Sequence, residues 1–274
     1  MNFKYFSQNG KILPIEQAVI PISNIEYSYG FGVYESIRVS NGVVYFLKDH
    51  TDRLLKSAKI IGLSHTFNEE FIKNSILDLI KNYKTETFNL KMLLIGGAIK
   101  EKALLNILCF NPLFPDKKLY RDGADFITYN YERVFPHAKT LNMLQSYLAY
   151  SKAKKLGAYD ALLINQNGFI TEGTRTNFFC IKDKTIYTPH ELNILLGVMR
   201  KVTLKVASEN NYKIIETNIK LEGIKSYDGA FVTSTSSKIM PIKSINGVLI
   251  SYPDSLKKLI ALLNKFLETN YQLQ

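Results

Sequence analysis

Ile170-Thr171-Glu172-Gly173-Thr174-Arg175-Thr176-Asn177-Phe178-Phe179 is the stretch on which the reading of this chain turns, together with His137-Ala138-Lys139-Thr140 upstream of it. The two strings pair one lysine with one glutamate, each in apolar surroundings. A lysine whose charge is disfavoured by apolar walls or a neighbouring cation attacks an aldehyde and holds it as a Schiff base. A carboxylate closing the strand Phe169-Ile170-Thr171, with Gly173 permitting a close turn behind it, accepts a hydrogen bond from a protonated ring nitrogen. Taken alone, Lys139 reads as a loop lysine and Glu172 as a turn glutamate.

Working outward, 274 residues with 46% hydrophobic content fill two modest domains or one large one. Apolar runs such as Met92-Leu93-Leu94-Ile95 are too short to span a bilayer, and the N-terminus lacks the apolar core of a leader. The expectation is a cytoplasmic protein with no membrane partner. Cys109 and Cys180 sit in apolar, strand-like runs and read as reduced, buried thiols. The histidines (His50, His65, His137, His190) are scattered, so no metal site is expected. The net charge of +11 is spread along the chain without a binding motif. It predicts no nucleic-acid partner, though a basic surface favours anionic ligands.

Asn9-Gly10 predicts a hairpin between residues 4–8 and 11–14, and Asn41-Gly42 a second, with Val43-Val44-Tyr45-Phe46-Leu47 as its returning arm. Apolar spacing predicts helices over 47–62 and 69–83, followed by strands near 89–95 and 104–110. This half reads as a sheet with helices segregated to one side. The run Asn111-Pro112-Leu113-Phe114-Pro115-Asp116-Lys117-Lys118 concentrates breakers and charge. The expected division is a domain over 1–114, a linker over 115–122 and a second domain over 123–274. In the second half, strands are expected near 125–131, 161–165, 169–172, 177–182, 185–187, 213–218 and 229–233, and helices over 141–156, 198–209 and 252–268.

Three places offer donors to an anion. Leu195-Leu196-Gly197-Val198-Met199-Arg200 reads as a Gly-led helix start, where free N–H groups and the helix dipole favour negative charge. Ser234 and Thr235 follow a strand and bring hydroxyls. Arg53, in His50-Thr51-Asp52-Arg53-Leu54, offers a guanidinium fork. Upstream, in Tyr27-Ser28-Tyr29-Gly30-Phe31-Gly32-Val33-Tyr34-Glu35-Ser36-Ile37-Arg38, strand alternation puts Tyr34, Ser36 and Arg38 on one face.

Thr-Glu-Gly followed by three residues and Asn-Phe, Lys139-Thr140-Leu141-Asn142 as a K-[ST]-x-N string, and the Tyr27–Arg38 signature together resemble the fold-type IV, or class IV, aminotransferases. These include branched-chain and D-amino-acid aminotransferases and aminodeoxychorismate lyases. The resemblance covers nearly the whole chain. It implies an α/β (α+β) fold of two domains like that of D-amino-acid aminotransferase, with pyridoxal 5'-phosphate as cofactor. It assigns Lys139 to the Schiff base and to proton transfer, and Glu172 to the pyridine nitrogen. Arg53, Leu195, Gly197, Val198, Met199, Ser234 and Thr235 would hold the phosphate. Tyr34, Ser36, Arg38 and Lys91 would meet substrate, and Tyr29 would belong to a loop reaching a neighbouring subunit, which implies a homodimer with shared active sites.

The subfamily signals are mixed. Branched-chain enzymes tend to read K-x-G-G-N-Y where this chain has Lys139-Thr140-Leu141-Asn142-Met143-Leu144. The arginine and histidine of D-amino-acid enzymes have no counterpart in Ala98-Ile99-Lys100-Glu101-Lys102, and lyases share Lys91 and a hydroxyl at Ser36 but add an arginine-rich loop absent here. Tyr29, Glu35 and Arg38 match the branched-chain pattern. The expected activity is transamination between an amino acid, foremost a branched-chain L-amino acid, and a 2-oxo acid such as 2-oxoglutarate. 4-Amino-4-deoxychorismate lyase and D-amino-acid transaminase are the alternatives.

Overall fold

The computed structural model describes residues 3–83, 87–112 and 114–271, in two compact units. The first comprises the described residues up to Pro112 together with His137–Asn142; the second comprises 114–136 and 143–271.

In the first unit six strands form one antiparallel sheet, in the order Lys11–Pro14, Tyr5–Gln8, Leu104–Phe110, Thr87–Ile95, Gly32–Ser40, Val43–Val44. The first hairpin turns through Asn9 and Gly10 at φ 49° and 81°, the left-handed values that a two-residue turn demands. The second hairpin is shorter than expected. Its returning arm stops at Val44, because Phe46 takes φ 53° and opens the helix Leu47–Ile60. That helix and Glu69–Ile80 cover one face of the sheet. Leu54, Ala58, Ile72, Ile76 and Leu79 pack there against Val33, Ile37, Val39, Leu90, Met92 and Leu94. Each fully buried Leu or Ile contributes roughly 1.5–3 kcal/mol. The opposite phase of the strand, Tyr34, Ser36 and Arg38, is only half-buried.

The second unit is built around a closed ring. Strands Asn177–Lys182, Gly229–Ser234, Lys238–Ile245, Ala124–Asn130, Asp160–Ile164 and Phe169–Gly173 pair in succession, and the last returns to the first through Glu172 opposite Asn177. All six strands feed one apolar cluster, including Phe126, Leu162, Ile170, Phe178, Val232 and Met240. Thr185–Thr188 and Lys213–Glu216 extend the sheet beyond the ring. Helix Val198–Glu209 packs against Asp254–Tyr271, whose Leu256, Leu259, Leu263 and Leu267 form its buried stripe.

The strand Lys238–Ile245 has no counterpart in the sequence expectation. Pro241 lies within it, and a proline argues against an interior strand because it cannot donate to the ladder. The contacts also divide the chain elsewhere than expected. Lys117–Asp122, read as part of a linker over 115–122, is a helix capped by the Asp116 carboxylate, which accepts the Lys118 N–H at 2.8 Å, and it lies in the second unit. His137–Asn142, expected within a second domain over 123–274, groups with the first unit. The cause is pairing: Thr140 bridges Val33, and the Leu141 N–H donates to Gly32 O at 2.8 Å. That bond also delays the helix expected from Leu141, which begins at Leu144.

No helix among the described residues is long and apolar enough to cross a membrane. Cys109 and Cys180 are buried free thiols, and the described residues contain no His/Cys/Asp/Glu group able to hold a metal.

Candidate functional site

In the first unit the backbone of Lys139 is held on two sides. The Tyr34 N–H donates to Lys139 O at 2.9 Å, and the Lys139 N–H donates to the Oγ of buried Ser57 at 3.1 Å. Gly32 allows this approach, since a Cβ there would collide with the Leu141 side chain and the Leu94 carbonyl. Lys139 Nζ stands 4.5 Å from the Tyr34 ring centroid, and Lys91 Nζ stands 5.8 Å from the same centroid. Register places Lys91 opposite Ser36 and Asn89 opposite Arg38. Tyr34, Ser36, Arg38 and Lys91 thus occupy the sheet face away from the helices, and the Arg38 guanidinium lies 5.7 Å from the Tyr45 ring centroid.

Arg53 is fixed by a buried acid. Its Nε and Nη2 donate to Glu35 Oε1 and Oε2 at 2.6 and 2.8 Å, and His50 Nδ1 lies 2.7 Å from Oε2. Glu35 and His50 are fully buried, and the Arg53 side chain is 12% exposed. Burial on its own would raise the Glu35 pKa; the guanidinium of Arg53 and the bond from His50 overcome it and hold the acid at about 2. Burial pushes the His50 pKa down despite Glu35, so the imidazole is neutral and donates from Nδ1. This arrangement escapes motif reading, yet its signal was present: alternation puts Glu35 on the buried face, and a buried acid needs a cation.

In the second unit Glu172 is 3% exposed at the pair that closes the ring. Oε1 accepts Arg133 Nε at 2.6 Å, and Oε2 accepts the Leu195 N–H at 3.3 Å. The other side of the same loop is gripped by Asn177, whose Nδ2 donates to Leu195 O at 2.7 Å. Gly197 follows as the N-cap of Val198–Glu209; a Cβ there would strike Asn177 Oδ1, so the turn requires glycine. With no side chain capping it, the first turn at Val198 and Met199 presents backbone N–H groups. Arg200 is buried and committed to Glu191 and Glu216, at 2.6 and 3.2 Å. Ser234 closes its strand with Oγ 2.6 Å from Ser237 Oγ and accepting the Ser237 N–H, while Thr235 stands half-buried beside it.

Buried Asp160 braces the turn after Glu172. It accepts Thr174 Oγ1 at 2.5 Å, Thr176 Oγ1 at 3.3 Å and the Ala161 N–H at 2.8 Å. Burial raises its pKa, and these donors oppose the rise. Of the expected residues, Lys139, Tyr34, Ser36, Arg38, Lys91 and Arg53 belong to the first unit. Glu172, Leu195, Gly197, Val198, Met199, Ser234 and Thr235 belong to the second. Tyr29 is 85% exposed. Arg133 was invisible in the sequence because nothing in a loop arginine announces its partner.

Residues 32–245 match the family model described as amino-transferase class IV. Among curated proteins, the chain is 30% identical over 251 residues to a D-alanine aminotransferase of Bacillus licheniformis, covering 88% of each. It is also 30% identical over 255 residues to a Methanocaldococcus jannaschii protein whose assignment as a branched-chain-amino-acid aminotransferase is itself provisional, covering 89% of this chain and 88% of that one. Among solved structures, the branched-chain aminotransferase of Thermoproteus uzoniensis superposes with a TM-score of 0.85 at 26% identity, covering 96% of this chain and 97% of that one. That of Escherichia coli gives 0.87 at 23% identity, covering 94% and 93%, a likeness of fold. A matched span that takes in both lysine and glutamate strings, and relatives aligned over nearly their full lengths, make this chain a member of the class IV aminotransferase family.

Proposed function

We propose that the chain is a pyridoxal 5'-phosphate-dependent transaminase moving an amino group from a branched-chain L-amino acid to a 2-oxo acid such as 2-oxoglutarate. The observation that carries this reading is the bond from the Leu195 N–H to buried Glu172, two residues before the glycine-led helix start at Gly197. It joins a carboxylate suited to a pyridinium N–H with backbone donors suited to a phosphate. Each unit by itself offers groups of the kind this cofactor needs: the first an amine at Lys139 and an anchored cation at Arg53, the second hydroxyls at Ser234 and Thr235 and N–H groups at Val198 and Met199.

When bound, this cofactor supplies an aldehyde that takes up the amine and a ring that withdraws electrons from the substrate carbon. Lys139 Nζ would be the covalent anchor and, when free, the base that takes and returns the substrate α-proton. Glu172 would accept a hydrogen bond from the ring nitrogen. Arg53, held rigid by Glu35, neutralises phosphate. Tyr34 offers an apolar ring to the side chain, and Arg38 or Lys91 meets a carboxylate. The active form is a homodimer in which Tyr29 reaches the partner's site. Val19, Ile22, Ile25 and Tyr29, exposed by 68%, 101%, 65% and 85%, make a run of apolar side chains suited to a partner. Light scattering giving a monomer in the presence of cofactor would remove that part.

The test of the activity is an absorption spectrum with pyridoxal phosphate, followed by L-leucine, L-glutamate and D-alanine added separately. Conversion of the visible band to that of pyridoxamine phosphate by L-leucine and L-glutamate is the expected result. Conversion by D-alanine alone moves the assignment to the D-amino-acid branch. Lys91 opposite Ser36 favours the lyase as second reading. Pyruvate release from aminodeoxychorismate without conversion by any of the three amino acids would establish it.

A further inference from the structure

We propose that Arg133 is a positioning residue that sets how strongly Glu172 engages the ring nitrogen of the cofactor, an inference that rests on the function proposed above. Its guanidinium spans three elements: Nε donates to Glu172 Oε1 at 2.6 Å, Nη1 to Ser146 Oγ at 3.2 Å and Nη2 to the Thr174 carbonyl at 2.7 Å. The anchors are themselves fixed. Ser146 is buried on the helix Leu144–Lys155, and Thr174 is pinned through Oγ1 to Asp160 and through its N–H to Ala161 O. The fork therefore holds Glu172 from a rigid base, and the Leu195 N–H fixes the other carboxylate oxygen.

A carboxylate has about four acceptor positions. One is given to Arg133 and one to Leu195, so the plane and direction of the remaining lone pairs are set before a ligand arrives. Without Arg133 the acid, 4% exposed along its side chain, keeps only the long 3.3 Å bond from Leu195 among the donors described, and its direction is lost.

The test measures binding of two ligands by fluorescence quenching: pyridoxal 5'-phosphate and its analogue with carbon in place of the ring nitrogen. Only the first can engage Glu172 through a ring N–H, so the ratio of the two dissociation constants reports that contact alone. The wild type is expected to prefer the natural cofactor, and Glu172→Gln to lose the preference. Arg133→Gln should reduce the ratio at least fivefold, and Arg133→Lys, which keeps charge but not the fork, should fall between. If Arg133→Gln and Arg133→Lys both weaken the two ligands by equal factors, or leave the ratio at the wild-type value, Arg133 only supports the fold and the proposal is overturned. If the wild type binds neither ligand, the functional reading fails first and this inference falls with it. Should Arg133→Gln not fold, the Arg133→Lys ratio decides.

Discussion

Two buried carboxylate–guanidinium pairs, one in each unit, share a 2.6 Å Nε–Oε1 bond and differ in everything around it. Glu35 is fully buried and takes both prongs of Arg53 and a bond from His50. The acid serves its cation by aiming Arg53. Glu172 takes one short bond from Arg133 and one long one from Leu195, which leaves it able to accept another donor. There the cation serves the acid. The same chemical pair is closed in one unit and open in the other.

The largest effect is expected outside both pairs. Lys139→Ala should lower turnover by more than the roughly 10²–10⁴-fold that losing a general base alone costs, since anchor and base go together, with the unfolding midpoint unchanged. Steady-state kinetics beside thermal melts check this. Breaking the closed pair comes next: Glu35→Ala strands a buried guanidinium and should cost about 3–5 kcal/mol in urea unfolding. Breaking the open pair by Glu172→Gln keeps an acceptor for Arg133 and should cost about 1–2 kcal/mol, while removing most cofactor binding. Equal stability losses in these two variants would erase the proposed contrast.

The smallest expected effect is in pH. The folded-state pKa of His50 is depressed, so the unfolded chain takes up a proton that the folded one refuses, and stability falls as pH drops below about 6.5. Glu35 is held at about 2, below its unfolded value of about 4.3, so its contribution is complete above that value and is lost as pH falls through about 2. His50→Gln should remove the upper step and leave the lower one. Urea midpoints measured at neutral, mildly acid and strongly acid pH resolve the two.

Much of this was legible in the sequence, because local signals and tertiary demands agreed. Asn9-Gly10 and Asn41-Gly42 turn where left-handed φ values are needed, and the stripes of Leu47–Ile60 and Val198–Glu209 face their cores. Legibility failed where a long-range contact overrode a local rule. Pro241 hid an interior strand of the ring, and the bond from Leu141 to Gly32 drew the lysine string away from the helix and unit it was expected to join. Site residues carried by contiguous strings were readable; Arg133, Glu35 and the grip of Asn177 on Leu195 act across distant segments, and a sequence read alone cannot pair them.

The most direct test of the account is to incubate the protein with pyridoxal 5'-phosphate, reduce with borohydride and map the modified peptide by mass spectrometry. The account predicts a single pyridoxyl group on Lys139. Modification of other lysines with Lys139 unlabelled would contradict it.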